Sequence, residues 1–521
     1  MSATTSTVKT KRQAKAAQGP YGRVGTIVDE LDDRIGIAKG GRVFLDKIFP
    51  DHWSFMLGEI SLYSFLVLIA TGIFLALYYV PSTTQVICHC SYAPLHGQRV
   101  SEAFQSTVRI SFNVRGGLLI RQMHHWAADI FTGSIIVHMA RIFFTGAFRK
   151  PRELNWTIGT TMLILAVLEG FIGYSLPDDL ISGTGLRIGY SIAESIPFVG
   201  SYLVQFVWGG PFPGNVVIGR FYIIHVLIIP LILFALIGVH LTLLVRQKHT
   251  QFPGEGRTER NVVGSPMFPT FMAKTTGFLF MVAGTSALLG AFAQINPIWQ
   301  FGSYDAYKIS YAVQPDWYMG WLDGALRIMP SWELTAFHHT LPLEVFLPAV
   351  LFPGLIFNIC LMWPALERRM TGDNDLHNLL DRPRDRPKRT AAGAAMFAVL
   401  FTCFAACSND VLANYFHISL NAVLWAFRIL VIVVPIVVAF VTYRLCLELQ
   451  GVHGAGKRKR AVIVHRSAAG EYSTVAAAPR PDDERTELHP RPVPERIDIE
   501  PLVNGVSTET SSPTGVRQVT R

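Results

Sequence analysis

The sequence predicts an all-α, polytopic membrane protein with eight transmembrane helices, on three observations. Half of its 521 residues are hydrophobic and only 16% are charged, against about a quarter charged in an ordinary soluble domain. The apolar residues gather into long runs, each near the roughly 20 residues that a helix needs to cross a bilayer. The runs are continuous rather than alternating, which argues against a transmembrane β-barrel.

In chain order, residues 1–51 are polar and basic, with no cleavable signal peptide, so the first span is expected to direct insertion. Spans are expected near 58–80, 118–144, 157–176, 220–245, 271–293, 342–363, 391–408 and 421–446. The connection 177–219 is rich in Gly and Pro, with short amphipathic pieces. The connection 294–341 contains NPIWQFG, PDWY and IMPSWE, dense enough in Trp and Tyr for a partly folded interfacial layer. Beyond about 450 the composition turns to Pro, Arg, Glu, Ser and Thr, which predicts a disordered tail. The expected division is therefore a basic arm (1–51), a four-helix first half (52–250), a four-helix second half (251–450) and a tail (451–521).

The formal charge of +9 does not point to nucleic acid, because Lys and Arg fall in alternate loops. Residues 1–50, 141–152, 246–274, 364–390 and 444–466 are basic, whereas 409–420 has no Lys or Arg. The positive-inside rule then puts both termini in the cytoplasm, as an even number of spans requires. Cys88 and Cys90 form a CHC in an outer loop, too close in sequence for an easy mutual disulfide; a metal site and an ordinary loop both stay open. No C-x-x-C-H is present, so covalent c-type haem attachment is unsupported.

Ionisable groups at membrane depth are costly and mark function. The second span holds His124 and His138, 14 residues apart. At 100° and 1.5 Å per residue they point within about 40° of each other, roughly 21 Å apart in height. His125 lies about 140° from His138, off that face, and reads as a packing histidine. The fourth span holds His225 and His240, 15 residues apart, about 60° and roughly 22 Å. The second and fourth spans run parallel, so His124 faces His225 and His138 faces His240. Two matched pairs at two depths fit axial ligation of two haems, and no Cys or carboxylate joins them at zinc-ligand spacing. Glycine lets a helix approach a broad porphyrin. Gly58 and Gly72 in the first span, and Gly159 and Gly173 in the third, repeat the interval of 14. Arg121, Arg141 and Arg220 near the span ends suit haem propionates, or serve as snorkelling anchors.

These residues resemble a known family, the dihaem cytochrome b subunit of respiratory cytochrome bc complexes, over roughly residues 52–450. The resemblance rests on TG-x-FLAL-x-Y (71–79), R-x-x-H with H-x-x-R fourteen residues on, GYSLP (173–177), SIPFVG-x-x-LVQFVWGG (195–210), GRFYIIH (219–225) and PDWY (315–318). The long basic arm and the tail look like the actinobacterial branch, whose quinone is menaquinone in most members. The resemblance implies a quinol:cytochrome c reductase in the bacterial plasma membrane, with two b-type haems. His124 and His225 would hold the low-potential haem near the outer face, and His138 and His240 the high-potential haem near the cytoplasm. Quinol would be oxidised outside, with Asp316 and Tyr318 catalytic and Pro315 and Gly185 as quinone contacts. One electron would go to a Rieske iron–sulfur subunit, and the other through the haems to an inner quinone site. The implied partners are the Rieske subunit, a cytochrome c subunit, a second copy of the complex and a haem–copper terminal oxidase.

Departures from the family pattern are concrete. Asp316 stands where the family has the glutamate of PEWY. Asp178 and Asp179 replace a tryptophan and a glycine, and fit proton exit, a partner contact or a solvated loop. Asp323 replaces a tyrosine of the outer site. At the inner site, Val245 and Thr275 align with an ionisable pair; Arg246, Lys248 or His249 could substitute, or could be positive-inside anchors. Two other readings are weighed: the dihaem membrane anchor of another quinone-linked dehydrogenase, which would not carry PDWY with the 195–210 motif, and a transporter, which would hold no haem.

Overall fold

The computed structural model describes residues 44–308, 313–336 and 338–450, with Asp32 and two short strands at 462–466 and 472–476. Its helices are α1 (Met56–Ala76), α2 (Glu102–Phe112), α3 (Gly117–Phe144), α4 (Glu153–Ser175), α5 (Leu180–Glu194), α6 (Gly200–Val207), α7 (Val217–Gln247), α8 (Met272–Phe292), α9 (Trp317–Ile328), α10 (Leu343–Thr371), α11 (Pro387–Ala406), α12 (Asn409–Phe416) and α13 (Leu420–Leu449). Among the described residues eight of these, α1, α3, α4, α7, α8, α10, α11 and α13, are long and apolar enough to cross a membrane. Only 11–33% of each span's apolar window is buried. Many large apolar side chains of the spans are exposed, as a lipid-facing surface requires.

Local chemistry sets the ends. Ser101 caps α2 and Ser419 caps α13 through their side-chain oxygens, and Asp179 with Ser182 forms a capping box on α5. Pro387 opens α11, where its missing N–H costs nothing, and Gly372 at φ 70° closes α10. The sixth span runs eight residues beyond its expected end at 363, straight through Pro364. Its polar last turn is held by a buried ion pair, with Arg389 Nε on α11 donating to Glu367 Oε1 and Oε2 at 3.0 and 2.9 Å. Asp381 completes this pairing at 2.9 Å from Arg389 Nη1.

The first half builds its core between α1, α3, α4 and α7, around Phe65, Phe131, Ile135, Ala166, Ile218 and Leu233. In the second half α9 lies on α11, which packs along α13. One expectation is corrected. Cys88 and Cys90 are joined in a disulfide, because the chain turns after Ile87 so that their Cα atoms stand 5.2 Å apart, within the ordinary range for a bridge. That also removes the CHC as a thiolate metal site. Within the tail, Val462–Arg466 pairs antiparallel with Tyr472–Ala476, both rich in β-branched residues. The rest of the tail and most of the basic arm lie outside the described residues.

Candidate functional site

The four histidines stand as two pairs. His124 and His225 have ring centroids 6.1 Å apart, and His138 has His240 as its neighbour from α7. The 15-residue interval on α7 is resolved by its backbone. Ile224–Ile228, which contains His225, forms a π-helical turn. Such a turn absorbs one extra residue, so 15 residues advance about as far as 14 α-helical ones and the 60° offset falls to about 40°, matching α3.

Each glycine singled out in the sequence meets one histidine. A Cβ on Gly58 would come 3.1 Å from His138 Cε1, one on Gly72 3.3 Å from His124 Cε1, and one on Gly159 3.9 Å from His240 Cε1. On Gly173 it would lie 2.9 Å from His225 Nδ1 and closer still to Cε1. His138 Nδ1 and His240 Nδ1 are buried with no hydrogen-bond partner of normal geometry. His225 Nδ1 stands 2.9 Å from Glu169 Oε1 without the alignment of a hydrogen bond, and His124 Nδ1 lies 2.9 Å from Thr71 Oγ1. A cavity of about 450 Å³ opens beside the His124–His225 level. Paired imidazoles with free ring nitrogens, flanked by glycines, fit axial ligation of a flat macrocycle.

The same cavity reaches a carboxylate. Asp316 precedes α9, and its Oδ2 lies 2.9 Å from His125 Nε2 and accepts from the Tyr318 hydroxyl at 3.2 Å. Asp129, one turn along α3 from His125, brings a second carboxylate within 4.8 Å of both. The Tyr318 ring lies over Gly170, where a Cβ would come within 2.7 Å of the hydroxyl. Burial first, then Asp316, pushes the Tyr318 phenol well above its usual value, so it stays a donor. His125 is therefore no mere packing residue. Its contact joins two segments 191 residues apart, which no periodicity in the sequence signals.

The arginines divide. Arg121 lines the cavity, donating to Ser111 Oγ at 3.2 Å and to the Asn296 carbonyl at 3.4 Å. Arg141 sits over the Phe55 ring and donates to Ser54 Oγ at 3.3 Å, while its Nη2 is buried without a partner. Arg220 turns instead to the carbonyls of Gln205 and Phe206 at the end of α6, where a helix dipole attracts a cation. Pro315 does not line the cavity, and nothing lies within 4 Å of a Cβ on Gly185. Arg246 is exposed, and Lys248 Nζ donates to the Arg260 carbonyl at 3.2 Å. His249 is buried against Phe49, and burial, with Lys47 and Arg152 nearby, holds its imidazole down at about 4. Asp178 and Asp179 are not a solvated loop. Asp179 is fully buried as the cap of α5, and burial raises the Asp178 carboxyl to about 6.

Two acids escaped the sequence reading, Glu169 on α4 and Glu59 on α1. Thr275 Oγ1 donates to Glu59 Oε2 at 2.7 Å, and Tyr63 bonds to both. An acid inside an apolar span was the available signal for each.

Eight apolar spans among the described residues, with two histidine pairs set between the first-half helices, fit one class, the integral-membrane cytochromes of b type. The model described as "Cytochrome b(N-terminal)/b6/petB" matches residues 129–303. The chain is 49% identical over 444 residues to the "Cytochrome bc1 complex cytochrome b subunit" of Streptomyces coelicolor, covering 85% of this chain and 80% of the relative. The subunit of the same name from Mycobacterium tuberculosis is 47% identical over 483 residues, 91% of this chain and 86% of the relative. A solved structure titled "Hyperthermophilic respiratory Complex III" shares the fold at a TM-score of 0.58 and 22% identity, covering 80% of this chain and 100% of that one. The chain belongs to the family of cytochrome b subunits of the cytochrome bc1 complex.

Proposed function

We propose that the chain oxidises quinol, probing it with Asp316 at the outer face, as the cytochrome b subunit of a quinol:cytochrome c reductase. The function and the catalytic standing of the subunit follow from the family. The observation that carries the finer reading is the single cavity shared by His124, His225, Arg121, Asp316 and Tyr318. His124 with His225, and His138 with His240, hold the two haems. When bound, haem b supplies a one-electron Fe(II)/Fe(III) carrier at each depth. Gly58, Gly72, Gly159 and Gly173 keep the flanking helices close, and Arg121 and Arg141 offer guanidinium groups to propionates. Arg220 serves α6 instead.

Asp316 accepts a proton from the quinol hydroxyl. His125 and Tyr318 aim its carboxylate by holding Oδ2. The quinol gives one electron to the Rieske partner and the other across the membrane, and proton release outside with uptake inside contributes to a proton gradient. At the inner face the quinone is placed by the Glu59–Tyr63–Thr275 cluster rather than by Arg246 and Lys248, which turn to the surface. Menaquinol is the substrate. Both termini are cytoplasmic, the halves divide at 250–251, and the assembly includes the Rieske and cytochrome c subunits, a second copy and a haem–copper oxidase.

Asp316→Asn in the intact membrane complex tests this. Quinol oxidation should slow while both b-type bands of the reduced-minus-oxidised spectrum persist. Unchanged turnover would remove the carboxylate from the reaction, and a spectrum with no b-type band would remove the haems.

A further inference from the structure

Asp316 reaches the cavity at the end of an irregular segment, Val313–Pro315, that leads into α9. None of the residues that anchor that segment lines the cavity. Arg327 Nη2 donates to the Val313 carbonyl at 2.8 Å, and Gln314 Nε2 donates to Asp410 Oδ1 at 3.0 Å. Arg327 is itself held from three sides. Its Nε donates to Asp323 Oδ2 at 2.6 Å, and its Nη1 lies 3.2 Å from both Asp410 Oδ1 and Asn409 Oδ1. The Asp323 oxygen also accepts from Cys407 Sγ at 3.1 Å. Burial first, then Asp323, pushes that thiol up to about 12, so it remains a donor.

The frame around this cluster is stiff. Gly320 and Gly324 of α9 lie directly on α11, and a Cβ on Gly324 would overlap the Cys403 carbonyl. Arg327, Asp323 and Asp410 are each at least three-quarters shielded from solvent, and none of them lines the cavity. A planar guanidinium can bind three different acceptors at fixed angles, which an ammonium cannot do. Removing one partner of so shielded an ion pair leaves the other charge uncompensated, which is strongly destabilising.

We propose that Asp323, Arg327 and Asp410 form a positioning cluster for quinol oxidation, in which Arg327 ties the backbone at Val313 and thereby sets where the Asp316 carboxylate stands. The inference rests on the reading of Asp316 as the proton acceptor. Arg327 touches no substrate and acts through Asp316. Loss of the tie frees the segment, and a carboxylate misplaced by about 1 Å can cost up to about a hundredfold in rate.

The test uses the whole membrane complex with a soluble menaquinol analogue. Asp323→Asn, Arg327→Gln and Arg327→Lys are each made alone, and the first two also in the Asp316→Asn background; kcat, KM and the b-type bands are read in each. Both bands should persist, kcat should fall about tenfold or more, and KM should change far less. Arg327→Lys should not restore kcat, because one ammonium cannot reach Val313 and both carboxylates. On the Asp316→Asn background neither second change should slow the enzyme further, since residues acting through one group are non-additive. A full additional loss there would show an independent structural effect and overturn the proposal, as would unchanged kcat in both single variants. If Arg327→Gln fails to assemble, Asp323→Asn, which keeps size and shape, decides alone. A slow Asp316→Asn with a normal Asp323→Asn overturns only the positioning role, whereas a normal Asp316→Asn overturns the reading of the site and this inference with it.

Discussion

Alanine at each of the four glycines that face the histidines should affect haem retention in a graded order. Two terms oppose each other. Replacing glycine in a helix interior gains about 1 kcal/mol from backbone entropy, whereas forcing a methyl into a filled space costs about 1–3 kcal/mol. At Gly159 the new Cβ would lie 3.9 Å from His240, an ordinary contact, so the gain wins. At Gly72 and Gly58 it would lie 3.3 and 3.1 Å from His124 and His138, tight by a few tenths of an ångström, so the terms nearly cancel at Gly72 and the cost begins to win at Gly58. At Gly173 three ring atoms of His225 would lie within 3.0 Å, and this histidine cannot retreat because Glu169 Oε1 stands 2.9 Å from its Nδ1. A net cost of about 1.4 kcal/mol already lowers occupancy about tenfold where binding is limiting. Purified complexes of the four variants would be compared by reduced-minus-oxidised spectra per polypeptide, with redox titration to separate the two b components. Gly173→Ala should lose the outer component and keep the inner one, and Gly159→Ala should keep both. Equal losses at Gly159 and Gly173, or loss of the inner component from Gly173→Ala, would refute the cradle geometry.

Two further outcomes follow from the same residues. His138→Ala should abolish the b component of higher midpoint potential and leave the other at least partly intact in a redox titration. His249 lies buried and uncharged, with its imidazole held at about 4 against about 6.5 in an unfolded chain. The unfolded chain therefore binds the extra proton first, so the stability this burial gives is complete above about pH 6.5 and is lost as pH falls towards 4, by about 3 kcal/mol at most. Thermal melts at pH 7 and pH 4.5 should diverge less in His249→Phe, which keeps the ring on Phe49, than in the native protein.

The spans and the two histidine levels were legible because both repeat. Apolar runs recur at membrane length, and His124 with His138, and His225 with His240, sit close to whole turns of a helix. What does not repeat was hidden. The His125–Asp316 contact joins a helix to an irregular segment and has no period. Arg220 follows the spacing of a span end, yet the free carbonyls of α6 take it, and nothing in the sequence places α6 there. The continuation of α10 past Pro364 depends on Arg389, a partner on another helix. Cys88 and Cys90 pair because of a turn that sequence separation alone does not reveal.

On the proposed reading, consecutive residues of α3 would let one cavity part the products of quinol oxidation. His124 and His125 project about 100° apart from the same turn, one towards His225 and the other towards Asp316. On that reading, a substrate lying between them would have an electron route on one side and a proton acceptor on the other. Moving either histidine by one position would swing it by about that same angle and break its own contact. A quinol poised against Asp316 would, on the proposed reading, also stand beside the His124–His225 level, because both line one cavity. The adjacent histidines thus face one helix turn in two chemical directions, towards His225 and towards Asp316.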